Sequence, residues 1–170
     1  MKITSSLILA SLLAAALCTG CKPDETAANK GDSADASVAA APGESAEWLT
    51  DFPAALAKAK AENKRVFLDF TGSDWCSACK LIKKKVLSTS EFSAFAKKNL
   101  ILVEVDFPMN KTQPDALKSA NKALADKFKV DGYPTLVVTD ADGKELWREE
   151  GYDDEAPAKY VAKLAAIKAK

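Results

Sequence analysis

Three short apolar runs constrain this chain more than any other feature: "RVFLDF" at Arg65–Phe70, "LILVEVDF" at Leu100–Phe107 and "TLVVTD" at Thr135–Asp140. Short apolar runs of this kind read as buried strands. Helical patterns separate them. "TDFPAALAKAKAENK" offers a capping residue at Thr50 or Asp51, an early proline and then good helix formers. "CSACKLIKKKVL" puts Cys79, Ile82 and Val86 on one helical face and Lys80, Lys83 and Lys84 largely on the other, as a solvated face. "TSEFSAFAKKN" starts on Ser/Thr, and Leu117, Ala120, Leu124 and Phe128 recur at helical spacing. "DADGKE" carries an Asp-Gly turn signal leading to "ELWREEGY", a hairpin partner for the third strand. Tyr160 or Val161, Leu164 and Ile167 mark a closing helix. The expected order is helix, strand, helix, helix, strand, helix, strand, strand, helix. Strands separated by helices imply parallel pairing through right-handed crossovers, with the last two antiparallel. The expected class is therefore α/β, a mixed central β-sheet flanked by helices on both faces.

Composition removes several chemistries. The chain has no histidine, so Ser-His-Asp and Cys-His nucleophiles and imidazole metal ligands are excluded. Lysine plus arginine and aspartate plus glutamate both number 24, which gives no basic excess to bind nucleic acid and no acidic arm. Chemistry must come from thiols, carboxylates, amines or backbone.

The amino terminus reads as a processing segment. "MKITSSLILASLLAAALCTGC" has one lysine and then an apolar run from Ile3 to Leu17, shorter than the ~20 residues of a membrane span. Its end, "LCTGC", resembles the lipobox of bacterial lipoproteins, although Cys18 stands where leucine is usual. That resemblance implies removal of residues 1–20 as a signal peptide and lipidation of Cys21, which becomes the new amino terminus. Residues 21–45 are rich in Ala, Ser, Asp, Gly and Pro and read as a flexible linker with a reach of roughly 25–30 Å. Residues 46–170 are left as the folded domain.

Of the four cysteines, Cys76 and Cys79 then remain as the mature thiols. Their C-x-x-C spacing admits a redox couple, half a zinc site, a haem attachment or a staple. Zinc would need two more ligands or a dimer, and a haem motif has histidine where this chain has Lys80. Two cysteines three apart at a helix start can bridge with little backbone change, and the free N–H groups there stabilise a thiolate. Cys76 is expected to be exposed and attacking, and Cys79, one turn in, more buried and resolving.

The ordered set "VFLDF", "WCSACK", "LVEVDF", "VDGYPTLVVTDADGK" and "GY" resembles the thioredoxin superfamily across about Ala46 to Lys170. The likeness extends to envelope thioredoxin-like proteins, including the carboxy-terminal domain of membrane thiol:disulfide interchange proteins. The resemblance implies a thioredoxin fold and catalytic Cys76 and Cys79, with Pro134 a cis-proline beside them. It also implies that Tyr133 forms part of the substrate surface and Trp75 packs at the site. Asp69 matches a buried acid that assists proton transfer to or from the second cysteine, with Asp74 as a rival.

The implied function is a membrane-tethered thiol:disulfide oxidoreductase of the cell envelope. It would need no cofactor or metal, and no partner nucleic acid. Its partners would be disulfide-bearing envelope proteins and a membrane electron donor. With Ser77 and Ala78 between the cysteines and no histidine there, the direction leans to reduction or exchange. A thioredoxin-fold binding or structural domain without turnover is the alternative, with a metal- or haem-binding module behind it.

Overall fold

A computed structural model describes residues 46–167. Residues 1–20, read as a signal peptide, Cys18, Cys21, the expected lipidation site, and residues 21–45, read as a linker, lie outside the described residues. Among the described residues no helix is long and apolar enough to cross a membrane.

The elements, in chain order, are β1 (Trp48–Leu49), α1 (Phe52–Glu62), β2 (Arg65–Thr71), α2 (Ser77–Ile82), α3 (Ser90–Asn99), β3 (Leu100–Asp106), α4 (Asp115–Phe128), β4 (Thr135–Thr139), β5 (Glu145–Glu150) and α5 (Pro157–Ala166). A π-helical turn over Lys83–Leu87 continues α2. Local chemistry sets several boundaries. Asp51 caps α1 by accepting from the Ala54 N–H at 3.0 Å, with Pro53 in the first turn. Asn63 ends the helix in the left-handed region at φ 51°. Thr89 caps α3 by accepting from the Phe92 N–H at 3.3 Å. Gly143, at φ 80°, takes the turn between β4 and β5 in a conformation that a β-carbon disfavours.

The sheet order is β1-β3-β2-β4-β5. β2 pairs parallel with β3 and antiparallel with β4, and β5 closes the hairpin antiparallel to β4. Two expectations are corrected here. The two-residue β1, parallel to β3 at Trp48↔Leu102 and Leu49↔Val103, gives no periodic signal in the sequence. β4 is not parallel to the strands before it. A helix between strands implies a crossing of the sheet face, but not the sense in which the chain re-enters. Here it re-enters at the carboxyl end of β2, where Thr135 pairs with Phe70.

Helices cover both faces. On one, Val66, Leu68, Phe70, Ile101, Val103 and Val105 pack against Phe52, Ala55 and Ala59 of α1 and Phe128 of α4. On the other, Phe67, Leu102, Leu136 and Val138 pack against Ile82 and Val86, Phe92 and Ala96 of α3, and Tyr160 and Leu164 of α5. β2 is buried on both faces, which accounts for its near-continuous apolar run.

Candidate active site

The site forms where β2 runs out. After Thr71 the chain turns at Gly72, whose carbonyl accepts from the N–H groups of Trp75 and Cys76 at 3.2 and 2.9 Å. A β-carbon on Gly72 would overlap the Trp75 indole, so this position requires glycine for the ring to fold back over the turn. Cys76 then stands at the cap of α2. Its sulfur takes the place of a capping oxygen and accepts from the Cys79 N–H at 3.1 Å. The same contact stabilises negative charge on Cys76 once the pair is reduced.

Cys76 and Cys79 are joined as a disulfide, with Cα atoms 5.3 Å apart. Cys76 is the more accessible of the two, as expected, but only at 7% against 2%. The expectation of an exposed attacking cysteine is corrected. The sulfur is recessed, and the Tyr133 carbonyl oxygen lies 3.7 Å from it. In the disulfide this is a contact rather than a hydrogen bond, because the sulfur carries no proton. The Tyr133–Pro134 bond is cis and Pro134 is buried. Tyr133 stands between Trp75 (edge-on, ring centroids 5.8 Å) and Phe107 (tilted, 5.1 Å). Trp75 is 39% exposed and donates its Nε1–H to the Phe107 carbonyl at 2.8 Å.

The two candidate acids separate cleanly. Asp69 is 2% exposed and lies on the face that α2 covers, two residues from Phe67. Its Oδ1 has no hydrogen-bond partner among the described residues. Burial, reinforced by Glu104 beside it in register, raises its pKa to about 7, while Lys83 pulls the other way. Lys83 pairs with Glu104. Asp74 is partly exposed and belongs to a different network. Its carboxylate accepts from the N–H groups of Met109 and Asn110 at 3.0 and 2.6 Å. Those bonds, Met109's foremost, hold it below the usual carboxylate range. Its own carbonyl accepts from Lys80 Nζ at 2.7 Å.

The structure thus gathers Cys76, Cys79, Trp75, Tyr133 and Pro134 at one end of the sheet, with Asp69 buried on the sheet face that α2 covers and Asp74 at the rim. Sequence reasoning missed Glu104, Asp106, Phe107 and Met109. All four reach the site from β3 or the loop after it, and no spacing along the chain announces a contact made across strands.

Residues 52–167 match the thioredoxin-like domain family. The disulfide bond reductase DsbH of Chlamydia pneumoniae is 41% identical over 118 residues, covering 69% of this chain and 70% of that protein. The thiol:disulfide interchange protein DsbD of Cronobacter sakazakii is 36% identical over 112 residues, 65% of this chain but only 17% of its own much longer one. The solved structure of a DsbH oxidoreductase superposes with a TM-score of 0.69 at 36% identity, covering 84% of this chain and 96% of that one. Sheet order, helix placement, the cysteine pair and these likenesses agree: the chain belongs to the thioredoxin-like family of thiol:disulfide oxidoreductases.

Proposed function

We propose that this protein is a membrane-tethered reductase of disulfides in the bacterial cell envelope, facing the periplasm or the cell exterior. The carrying observation is the Cys76–Cys79 pair at the start of α2, with the Tyr133 carbonyl against the outer sulfur. In the reduced protein the Cys76 thiolate attacks one sulfur of a substrate disulfide. A mixed disulfide forms, and the other substrate sulfur leaves as a thiolate that takes up a proton. Cys79 then loses its proton, with Asp69 as the positioned acceptor, and attacks Cys76 Sγ. The second substrate thiol departs, and Cys76 and Cys79 are again a disulfide. Two electrons have passed from the protein dithiol to the substrate. A membrane dithiol donor restores the reduced pair, which an oxidising compartment makes necessary.

The DsbH relative is a disulfide bond reductase, which favours this direction. The lipobox-like "LCTGC" and the polar segment after it support a lipid anchor at Cys21 and a tether over residues 21–45, with residues 46–170 as the catalytic domain. Lys22 after Cys21, rather than aspartate, favours outer-membrane sorting in a two-membrane host.

The test is Cys79→Ser expressed in cells. Envelope proteins should accumulate as mixed disulfides through Cys76, resolved by reductant on a gel. If none accumulates and the reduced wild type reduces no disulfide, the reading fails. Cys21→Ala should move the protein from the membrane to the soluble fraction; unchanged fractionation would remove the anchor from the proposal.

A further inference from the structure

The loop between β3 and α4 is tied to the active-site turn from several sides. Ser73 donates its N–H and Oγ–H to the Asp106 carboxylate at 2.9 and 2.7 Å. Phe107 N–H donates to the Thr71 carbonyl at 2.8 Å, and Trp75 Nε1–H to the Phe107 carbonyl. Asp74 takes the Met109 and Asn110 N–H groups on its two oxygens. At the far end Gln113 and Asn121 both donate to the Asp106 carbonyl. These bonds hold the segment against the residues that lead into Cys76.

What the bracing presents is apolar. Among the described residues the exposed large hydrophobic side chains are Trp75, Leu81 and Met109, and Met109 is the most open at 72%. Exposed apolar side chains beside a reactive group mark a contact surface, and methionine adapts to varied partners. The recessed sulfur adds a constraint on what docks. With Cys76 at 7% exposure, a cystine on a protruding or extended segment reaches the sulfur more readily than one set flat in a folded surface.

We propose that Asp74 is a positioning residue that fixes Phe107–Asn110 as a second wall of the substrate face, and that Met109 on this wall binds an apolar side chain near the cystine of an extended, disulfide-bearing protein segment. The inference rests on the redox reading above and deepens it by naming a substrate class. A small disulfide reaches Cys76 without touching the wall, whereas a polypeptide lies across it. The network gives Asp74 a structural partner set in the loop after β3, which separates it from the proton-transfer role proposed for Asp69.

The experiment compares reduction of insulin with reduction of oxidised glutathione by the reduced protein, using Met109→Ala, Asp74→Ala and Asp74→Asn. Met109→Ala should raise the KM for insulin about five- to tenfold, lowering the insulin-to-glutathione ratio of kcat/KM by the same factor. Asp74→Ala should lower that ratio similarly and speed amide hydrogen exchange at Met109 and Asn110. Asp74→Asn, which keeps one acceptor oxygen, should fall between. An unchanged ratio in Met109→Ala and Asp74→Ala overturns the proposal. So does equal slowing of both substrates by Asp74→Ala, the mark of a proton-transfer role, or unchanged exchange at the two amides. Because Met109 is exposed, its variant keeps the fold and the test. A wild-type protein that reduces neither substrate would sink the redox reading itself, and this inference with it.

Discussion

The two faces of the sheet are built from the same strands and differ in kind. On the α1/α4 face, β2 presents Val66, Leu68 and Phe70, and β3 presents Ile101, Val103 and Val105. On the α2/α3/α5 face, β2 presents Phe67, then Asp69, then Thr71, while β3 runs Leu100, Leu102, Glu104, Asp106. The first face is apolar along its whole length. The second is apolar toward the amino ends of the strands and turns polar toward their carboxyl ends, where Cys76 and Cys79 sit. Continuous burial of apolar surface is what stabilises a domain. Replacing part of it with carboxylates gives up some of that stabilisation in exchange for groups that titrate and hydrogen-bond. The comparison separates a face that holds the fold from a face that also holds the chemistry.

The largest effect should come from the chemical face. Cys76→Ser should abolish reduction of both insulin and oxidised glutathione, because no other thiol of the domain is placed to attack. Turnover by that variant above the uncatalysed rate would break the assignment. The next largest should come from the opposite face and leave chemistry alone. Phe70→Ala removes a fully buried ring that packs edge-on to Phe128 at 6.0 Å, and should cost about 3–5 kcal/mol in denaturant unfolding. A loss below ~1 kcal/mol would show that this face collapses around the gap and contributes less than supposed.

Asp69→Asn tests the polar end by its pH signature. An acid whose folded pKa is raised stabilises the fold fully below its unfolded pKa and loses that contribution as pH rises through the folded one. For Asp69 the window runs from its ordinary value of 3.8 to about 7. Oxidised wild type should therefore lose stability across that range, and Asp69→Asn should flatten the profile. The variant should be more stable at pH 8 by something on the order of 2 kcal/mol, since the charged form is the one burial penalises. Parallel profiles for the two proteins would mean that Asp69 keeps an ordinary pKa. The smallest effect belongs to neither face. Lys122 and Asp126 pair at 2.8 Å on the exposed surface of α4, and Lys122→Ala should shift stability by less than about 0.5 kcal/mol. A larger change would give the exposed surface a part that the comparison assigns to the sheet.

Much of this architecture was legible in the chain. The three buried strands followed from short apolar runs, α1 and α3 from their capping residues, and the β4–β5 turn from Asp142-Gly143. Local signals suffice where local chemistry decides. They failed for β1, whose two residues carry no period, and for the π-helical turn after Ile82, which the lysine-rich "KKKVL" does not announce. They failed for the sense of β4, because a run of apolar residues is the same read parallel or antiparallel. At the site, the cysteine pair and the Tyr133-Pro134 step were legible from the resemblance, while the bracing of the loop after β3 was not. The bonds that tie this loop to the active-site turn join residues more than thirty positions apart, such as Asp74 with Met109.

By itself the sequence determined what rests on short covalent distance. Cys76 and Cys79, three residues apart at a helix start, are bound to fall within bonding reach, with the Cys79 N–H aimed at the Cys76 sulfur. Only the tertiary structure gave Asp69 and Asp74 different surroundings. The two carboxyls are chemically identical and lie within a few residues of each other. Strand register buries one beside Glu104, which raises its pKa to about 7. The turn at Gly72 leaves the other at the rim, where two backbone N–H groups keep it charged. Protonation here is set by solvent exclusion and by neighbours from other strands, and neither exists until the sheet has formed.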